Sequence, residues 1–301
     1  MNVSIIEKAV GKRDQSKGIV TPAVANIPDS PIATSATGIQ STPSAPIIAE
    51  AVAYHQDTPI VSKLVDIDLA RLHKMGMVTP DGGRTSVAEE FRLIKRPLIE
   101  NAFHQDTRSS NHRNLIMVTS AVPGEGKTFC AINLAISMAM ERDHTVMLVD
   151  ADVARPSILR FLGLKSEAGL MDILHGEKID PASVMLRTNI DSLSILPAGQ
   201  SHKHATELLA SQAMSKLLDE IASRYPDRIV IFDSPPLLLT TEARALASQM
   251  GQIVLVVEAE LTTQKAVKDV IRQLGANANV NLVYNKAPAF SGGGYADRYY
   301  S

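Results

Sequence analysis

The chain has no tryptophan, a single cysteine (Cys130), and aromatic residues at only 4% of its 301 positions. One cysteine excludes an intrachain disulfide and fits a reducing compartment. So few rings leave little for a protein that grips bases or sugars by stacking. Charge of one sign is lacking too. The formal net charge is −2, which argues against a polyanion binder, so no nucleic-acid partner is expected. No apolar run approaches the roughly 20 residues that cross a bilayer. No basic stretch followed by an apolar one opens the chain as a secretory signal would. The expectation is a cytoplasmic protein that needs another component to hold it at any membrane.

Residues 1–60 carry almost no aromatic side chains and are rich in Ala, Ser, Thr and Pro, with Pro22, Pro28, Pro31, Pro43, Pro46 and Pro59 breaking regular structure. Such a stretch buries too little apolar surface to offset its ordering entropy, so it reads as a disordered arm or tether. Residues 61–110 read as a helical segment for docking or assembly. Val65, Leu69, Leu72 and Met75 recur at helix spacing. After Pro80-Asp81-Gly82-Gly83 a second helix is expected, with Ser86 and Glu89 as a capping box, an apolar face of Phe91, Leu93, Ile94, Leu98 and Ile99, and a kink or break at Pro97.

From 111 to 290 short apolar runs alternate with helical patterns. Strands are expected at Leu115–Thr119, Thr145–Val149, Ser192–Leu196, Ile229–Phe232, Ile253–Val257 and Val280–Tyr284, and helices at Lys127–Glu141, Thr206–Arg224, Thr241–Met250 and Thr263–Leu274. Continuous apolar runs mark strands buried on both faces. The pattern predicts an α/β fold with a doubly wound, mostly parallel sheet. Residues 291–301, with Gly292-Gly293-Gly294, read as a flexible tyrosine-rich tail.

Ala121-Val-Pro-Gly-Glu-Gly-Lys-Thr128 lies between an expected strand and helix. A loop of this kind turns its backbone N–H groups onto phosphate oxygens at a helix N-terminus. Gly124 and Gly126 permit the turn, Lys127 reaches the β- and γ-phosphates, and the Thr128 hydroxyl ligates Mg²⁺. ATP and Mg²⁺ are therefore expected, with Pro123, Gly124, Glu125, Gly126, Lys127, Thr128 and Phe129 around the nucleotide. Ligands of doubly wound sheets lie beyond the carboxyl ends of the strands, and there two expected strands carry acids. Ile229-Val-Ile-Phe-Asp233 has the form of an apolar strand ending in an acid that supports Mg²⁺. Val146-Met-Leu-Val-Asp150-Ala-Asp152 supplies two more carboxylates.

Together, Thr119–Thr128, Val149-Asp-Ala-Asp-Val-Ala-Arg-Pro156 and Ile231-Phe-Asp-Ser-Pro-Pro236 resemble the Walker A, A′ and B motifs of the bacterial tyrosine kinases that control polysaccharide export. The resemblance runs from about Arg84 to the C-terminus and implies a P-loop NTPase fold of the deviant type. Leu64–Arg96 is similar, more narrowly, to stand-alone autokinases of exosortase and polysaccharide gene clusters. The resemblance implies that Lys127, Asp150 and Asp152 are catalytic. Of the two aspartates, one is metal-linked and the other a base for the tyrosine hydroxyl. Thr128, Asp150 and Asp233 would serve the metal. Glu89, Arg92 and Lys95 match an assembly helix whose last position is usually Arg, and the basic residue after the second motif stands at Arg155, one place later than usual. The implied partners are a membrane chain-length-determinant (polysaccharide co-polymerase) protein, further copies of the chain in a homo-oligomer, and a counteracting tyrosine phosphatase. The implied location is peripheral to the inner membrane.

Tyr295, Tyr299 and Tyr300 fall in the last seven residues and are expected phosphoacceptors. A phenol of pKa about 10 must lose its proton to an acid such as Asp150 during transfer. Each phosphate would add about −1.5 to −2 charge, so a phosphorylated tail should leave an aspartate-lined site. The expectation is a cycle of assembly, phosphorylation in trans and release. His202-Lys203-His204 reads as a solvated loop, Thr206–Leu209 as a structural helix start, and Asn285-Lys286 as a base contact. Two alternatives stand beside the kinase: a partition- or septum-type ATPase, which would carry lysine where Val122 stands, and a nucleotide-gated adaptor without catalysis.

Overall fold

The computed structural model describes residues 2–5, 62–104, 112–176, 179–276 and 278–288. The elements begin with β1 (Asn2–Ile5), β2 (Lys63–Val65), α1 (Leu69–Lys74), α2 (Ser86–Phe103), β3 (Leu115–Ser120), α3 (Lys127–Ala139) and β4 (Thr145–Asp150). Next come α4 (Ile158–Leu162), α5 (Leu170–Leu174), α6 (Pro181–Val184), β5 (Leu186–Thr188), β6 (Leu193–Leu196), α7 (Ala205–Leu209) and α8 (Gln212–Arg224). The last are β7 (Arg228–Asp233), α9 (Thr241–Ala247), β8 (Gln252–Glu258), α10 (Gln264–Leu274) and β9 (Val280–Ala287).

The strands form one sheet in the order β1-β9-β8-β3-β7-β4-β6-β5-β2. The six strands from β9 to β6 are parallel throughout. β1 runs antiparallel to β9, and β5 antiparallel to β6. The expected doubly wound sheet is therefore present, with reversed pairings toward each margin. Strand β1 falls inside the arm expected to be disordered; the rest of that arm lies outside the described residues.

Alternation along the central strands sends side chains to two cores. Ile116 and Val118 of β3 join Val146, Leu148, Ile229 and Ile231 under α2 and α3. Leu115 and Met117 join Met147, Val149, Val230 and Phe232 under α8 and α9. Burial on both faces is why these strands read as unbroken apolar runs. Helix α3 is buried almost all round because α2 covers its outer side, with Phe91 and Phe129 rings 6.5 Å apart. Val78 N–H also donates to Asn133 Oδ1 at 2.7 Å. Residues 62–104 thus share one core with the P-loop helix.

Several local expectations are corrected. The N-cap of α2 is Thr85, whose Oγ1 accepts from Ala88 N at 3.1 Å, so Ser86 is the first helical residue and not the cap. Pro97 does not end α2; the carbonyl its missing N–H deserts belongs to Leu93, an exposed residue. The single helix expected over 206–224 is two, broken where Ser211 caps α8 by accepting from Met214 N. Val65 belongs to strand β2, and the helix after it starts at Leu69, capped by Asp68.

Candidate functional site

The loop between β3 and α3 is held open by its neighbours. Gly124 and Gly126 have φ of 92° and 96°, the left-handed region that glycine enters at no steric cost. A Cβ on Gly126 would also collide with Asn285 Nδ2. Glu125 is fully buried and turned away from the loop's open side. Its carboxylate accepts from Val122 N at 2.8 Å and from the Thr262 hydroxyl. Asn285 Nδ2 donates to the Glu125 carbonyl at 2.8 Å, and Lys286 Nζ donates to the Gly124 carbonyl at 2.8 Å while pairing with Glu258 at 2.9 Å. The ends of β8 and β9 therefore fasten the back of the loop. Asn285 does this from a buried position, while Lys286 reaches the cavity wall in its place.

A cavity of about 640 Å³ opens in front of the loop, bounded by Gly124, Lys127, Thr128, Asp152, Arg155 and Pro236, among others. Its size suits a nucleotide. The carboxyl ends of β3, β4 and β7 bring the charged groups together there. Lys127 Nζ donates to Asp152 Oδ2 at 2.7 Å. The Thr128 hydroxyl donates to Asp233 Oδ2 at 2.6 Å and lies 3.0 Å from Ser157 Oγ. Asp150 Oδ2 accepts from the N–H groups of Ser157 and Ile158, both at 2.9 Å. The two aspartates of the second motif are thus distinguished. Asp152 faces the cavity and the lysine, whereas Asp150 sits behind it, clamped to the start of α4.

Electrostatics match this crowding. Burial pushes the Asp233 carboxyl up to about 7 against the opposing pull of Lys127 and Thr128. Burial likewise pushes Asp150 up to about 6, with the two backbone N–H donors opposing. For Lys127 burial works against the charge, but Asp233, Asp152 and Asp150 outweigh it and hold the pKa above the ordinary lysine value. The Oδ1 atoms of Asp150 and Asp233 are buried with no hydrogen-bond partner among the described residues. Two orphaned carboxylate oxygens beside a threonine hydroxyl are a donor set suited to a hard divalent cation, so these residues fit Mg²⁺.

Other expected positions fall elsewhere. Glu89 and Arg92 pair with each other at 2.5 Å on the half-exposed side of α2. Lys95 does not join them. It is buried, its ammonium donating to the Ser137 carbonyl at 2.5 Å and pairing with Glu141 at 2.7 Å. Tyr295, Tyr299 and Tyr300 lie outside the described residues. Ser157 joins the site without a motif of its own; its one local signal is its place directly after Pro156, at the end of the second motif. Thr262 and Glu258 carried no local signal for their tie to the loop.

The family described as ParA: NUBPL iron-transfer P-loop NTPase matches residues 111–283. The chain is 33% identical to tyrosine-protein kinase YwqD of Bacillus subtilis (strain 168) over 59% of its own length and 71% of that protein's. It is 30% identical to tyrosine-protein kinase wzc of Salmonella typhimurium (strain LT2) over 76% of its own length, but spans only 31% of wzc and 25% of a Ralstonia relative. Among solved structures, the kinase domain of Escherichia coli tyrosine kinase ETK superposes with a TM-score of 0.58 at 26% identity, covering 76% of this chain and 92% of that one.

Proposed function

The chain belongs to the ParA-type P-loop NTPases and, among them, to the bacterial tyrosine-protein kinases, and we propose that it transfers the γ-phosphoryl group of ATP to tyrosine hydroxyls of its own C-terminal tail, in trans between copies. The observation that carries this reading is the convergence of Lys127, Thr128 and Asp152 on one cavity, with buried Asp233 bonded to Thr128 from behind its wall. The loop N–H groups and Lys127 bind the phosphates. Thr128 and Asp233, with Asp150 behind them, would hold Mg²⁺, which neutralises phosphate charge. Once phosphate draws Lys127 away, Asp152 is the carboxylate free to take the phenolic proton as the tyrosine oxygen bonds to phosphorus and ADP leaves.

Tyr295, Tyr299 and Tyr300 are the proposed acceptors, and Glu89 and Arg92 remain proposed contacts between copies. Like-charge repulsion then releases the modified tail. The setting we propose is control of exopolysaccharide synthesis or export, with the chain held at the inner membrane by a chain-length-determinant protein and reset by a tyrosine phosphatase. The name of one relative, succinoglycan biosynthesis transport protein ExoP of Rhizobium meliloti (strain 1021), supports that setting. Val122 stands where the partition-type alternative requires lysine. The test is incubation with [γ-³²P]ATP followed by phosphosite mapping. Label on the tail tyrosines, lost in Lys127→Met, is expected. An unlabelled tail with intact ATP hydrolysis would sink the kinase reading in favour of the ATPase.

A further inference from the structure

Arg228 opens β7 opposite Thr145, which opens β4. The amino ends of β4, β6 and β7 thus make a second rim of the sheet, at the far end of the strands from Lys127. A cavity of about 440 Å³ lies there, lined by Thr145, Arg187, Ser192, Ser194, Tyr225 and Arg228, with Asp191 as its one acid. The Arg228 guanidinium sits 3.8 Å over the Tyr225 ring. Its only hydrogen bond among the described residues runs from Nε to Thr145 Oγ1 at a long 3.5 Å, and it makes no ion pair there. Burial depresses its pKa despite the attraction of Tyr225 and Asp227, with Arg224 adding to the depression. The terminal N–H groups of this half-buried guanidinium have no protein acceptor among the described residues and so are available to a ligand in the cavity. Ser192 adds a second sign. It holds φ 65°, rare outside glycine, while its carbonyl accepts from Val146 N at 2.7 Å.

We propose that this cavity is a second anion site that takes a phosphate monoester. A flat guanidinium stacked on a ring presents a fork that matches phosphate oxygens. Arg187 brings a second positive charge, so a dianionic phosphoryl group suits the site better than a carboxylate. The hydroxyls of Thr145 and Ser192 can donate to the remaining oxygens. The cavity is larger than a bare phosphate, and the Tyr225 ring offers a wall for the organic part of the ester. The site is independent of the kinase reading, since it shares no residue with the P-loop cavity.

The test is calorimetric titration of the full chain with inorganic phosphate, phenyl phosphate and glucose 1-phosphate, on wild type, Lys127→Met, Arg228→Gln, Arg228→Lys and Arg187→Gln. Expected is monoester binding that survives Lys127→Met and weakens by about tenfold or more in Arg228→Gln and Arg228→Lys, because an ammonium cannot supply the flat fork. Arg187→Gln, an exposed side chain on a short strand, carries the test if Arg228 variants fail to fold. Preference for phenyl phosphate supports an aromatic ester, such as phosphotyrosine, as the source; preference for glucose 1-phosphate supports a sugar phosphate. Binding lost in Lys127→Met but kept in the arginine variants would overturn the proposal, and so would no preference for either ester over inorganic phosphate.

Discussion

Lys127 Nζ lies 2.7 Å from Asp152 Oδ2, with the two side chains only 14% and 6% exposed. Without nucleotide the P-loop lysine is thus already neutralised by the residue proposed as catalytic base, and phosphate must compete for it. Asp152→Asn removes the anionic partner. The ligand-free protein should lose about 3 kcal/mol, the usual cost of a buried charge left unpaired. Nucleotide should bind several-fold tighter, because a carboxylate no longer holds the lysine or repels phosphate. Tyrosine labelling should fall by about 100-fold or more. Melting with and without nucleotide, together with radiolabelling, checks the split; weaker nucleotide binding would contradict it.

Asp233 and Asp150, pushed up by burial to about 7 and about 6, imply a pH dependence of the ligand-free protein. Both folded-state values lie above the ordinary 3.8, so the native state holds more protons than the unfolded one between pH about 4 and 7. Their contribution is fully present below the unfolded pKa and is lost as pH rises through the folded values. The melting temperature should drop across that window, and Asp233→Asn should flatten the drop. A profile that is unchanged in Asp233→Asn would show that other groups set it.

Ser157 is predicted to orient the Thr128 hydroxyl, the group proposed to bind Mg²⁺. Thr128 has one proton, and it goes to Asp233, so the 3.0 Å contact requires Ser157 to donate to Thr128 Oγ1. Ser157→Ala should raise the Mg²⁺ concentration that half-saturates nucleotide binding by about tenfold. Ser157→Thr should restore it, and binding measured in EDTA should not move. A loss of equal size in EDTA would mean a merely structural role.

Lys95 is predicted to act on stability and not on assembly. Lys95→Met strips the Ser137 carbonyl and Glu141 of their partner and should cost about 1–3 kcal/mol in urea denaturation. Light scattering should find the oligomeric state unchanged. Glu89→Ala and Arg92→Ala, at a half-exposed pair, should cost about 0.5 kcal/mol and alter assembly instead.

Much of this protein was legible along the chain where a signal is local. Ile229–Phe232 and Ile253–Val257 are apolar without interruption because α/β sheets bury both faces, and both became central strands. Strands β2 and β5 were not legible. Lys63-Leu-Val and Leu186-Arg-Thr are three residues each, too short to establish a period. Thr85 and Ser86 are equally good caps by type, and only the observed N–H of Ala88 chooses Thr85.

By itself the sequence determined the loop at Ala121–Thr128 and the acids that end β4 and β7. Backbone sterics and neighbours a few residues away govern a glycine turn, a helix start and an apolar run. The tertiary structure alone decided which acid each cation or hydroxyl meets. Lys127 meets Asp152, 25 residues on, and Thr128 meets Asp233, 105 residues on. It also decided that Lys95 turns inward, that Asn285 braces the loop from behind, and that Arg228 faces a cavity with Tyr225. Those pairings follow from strand order and register in the sheet, which bring together residues that no spacing along the chain connects.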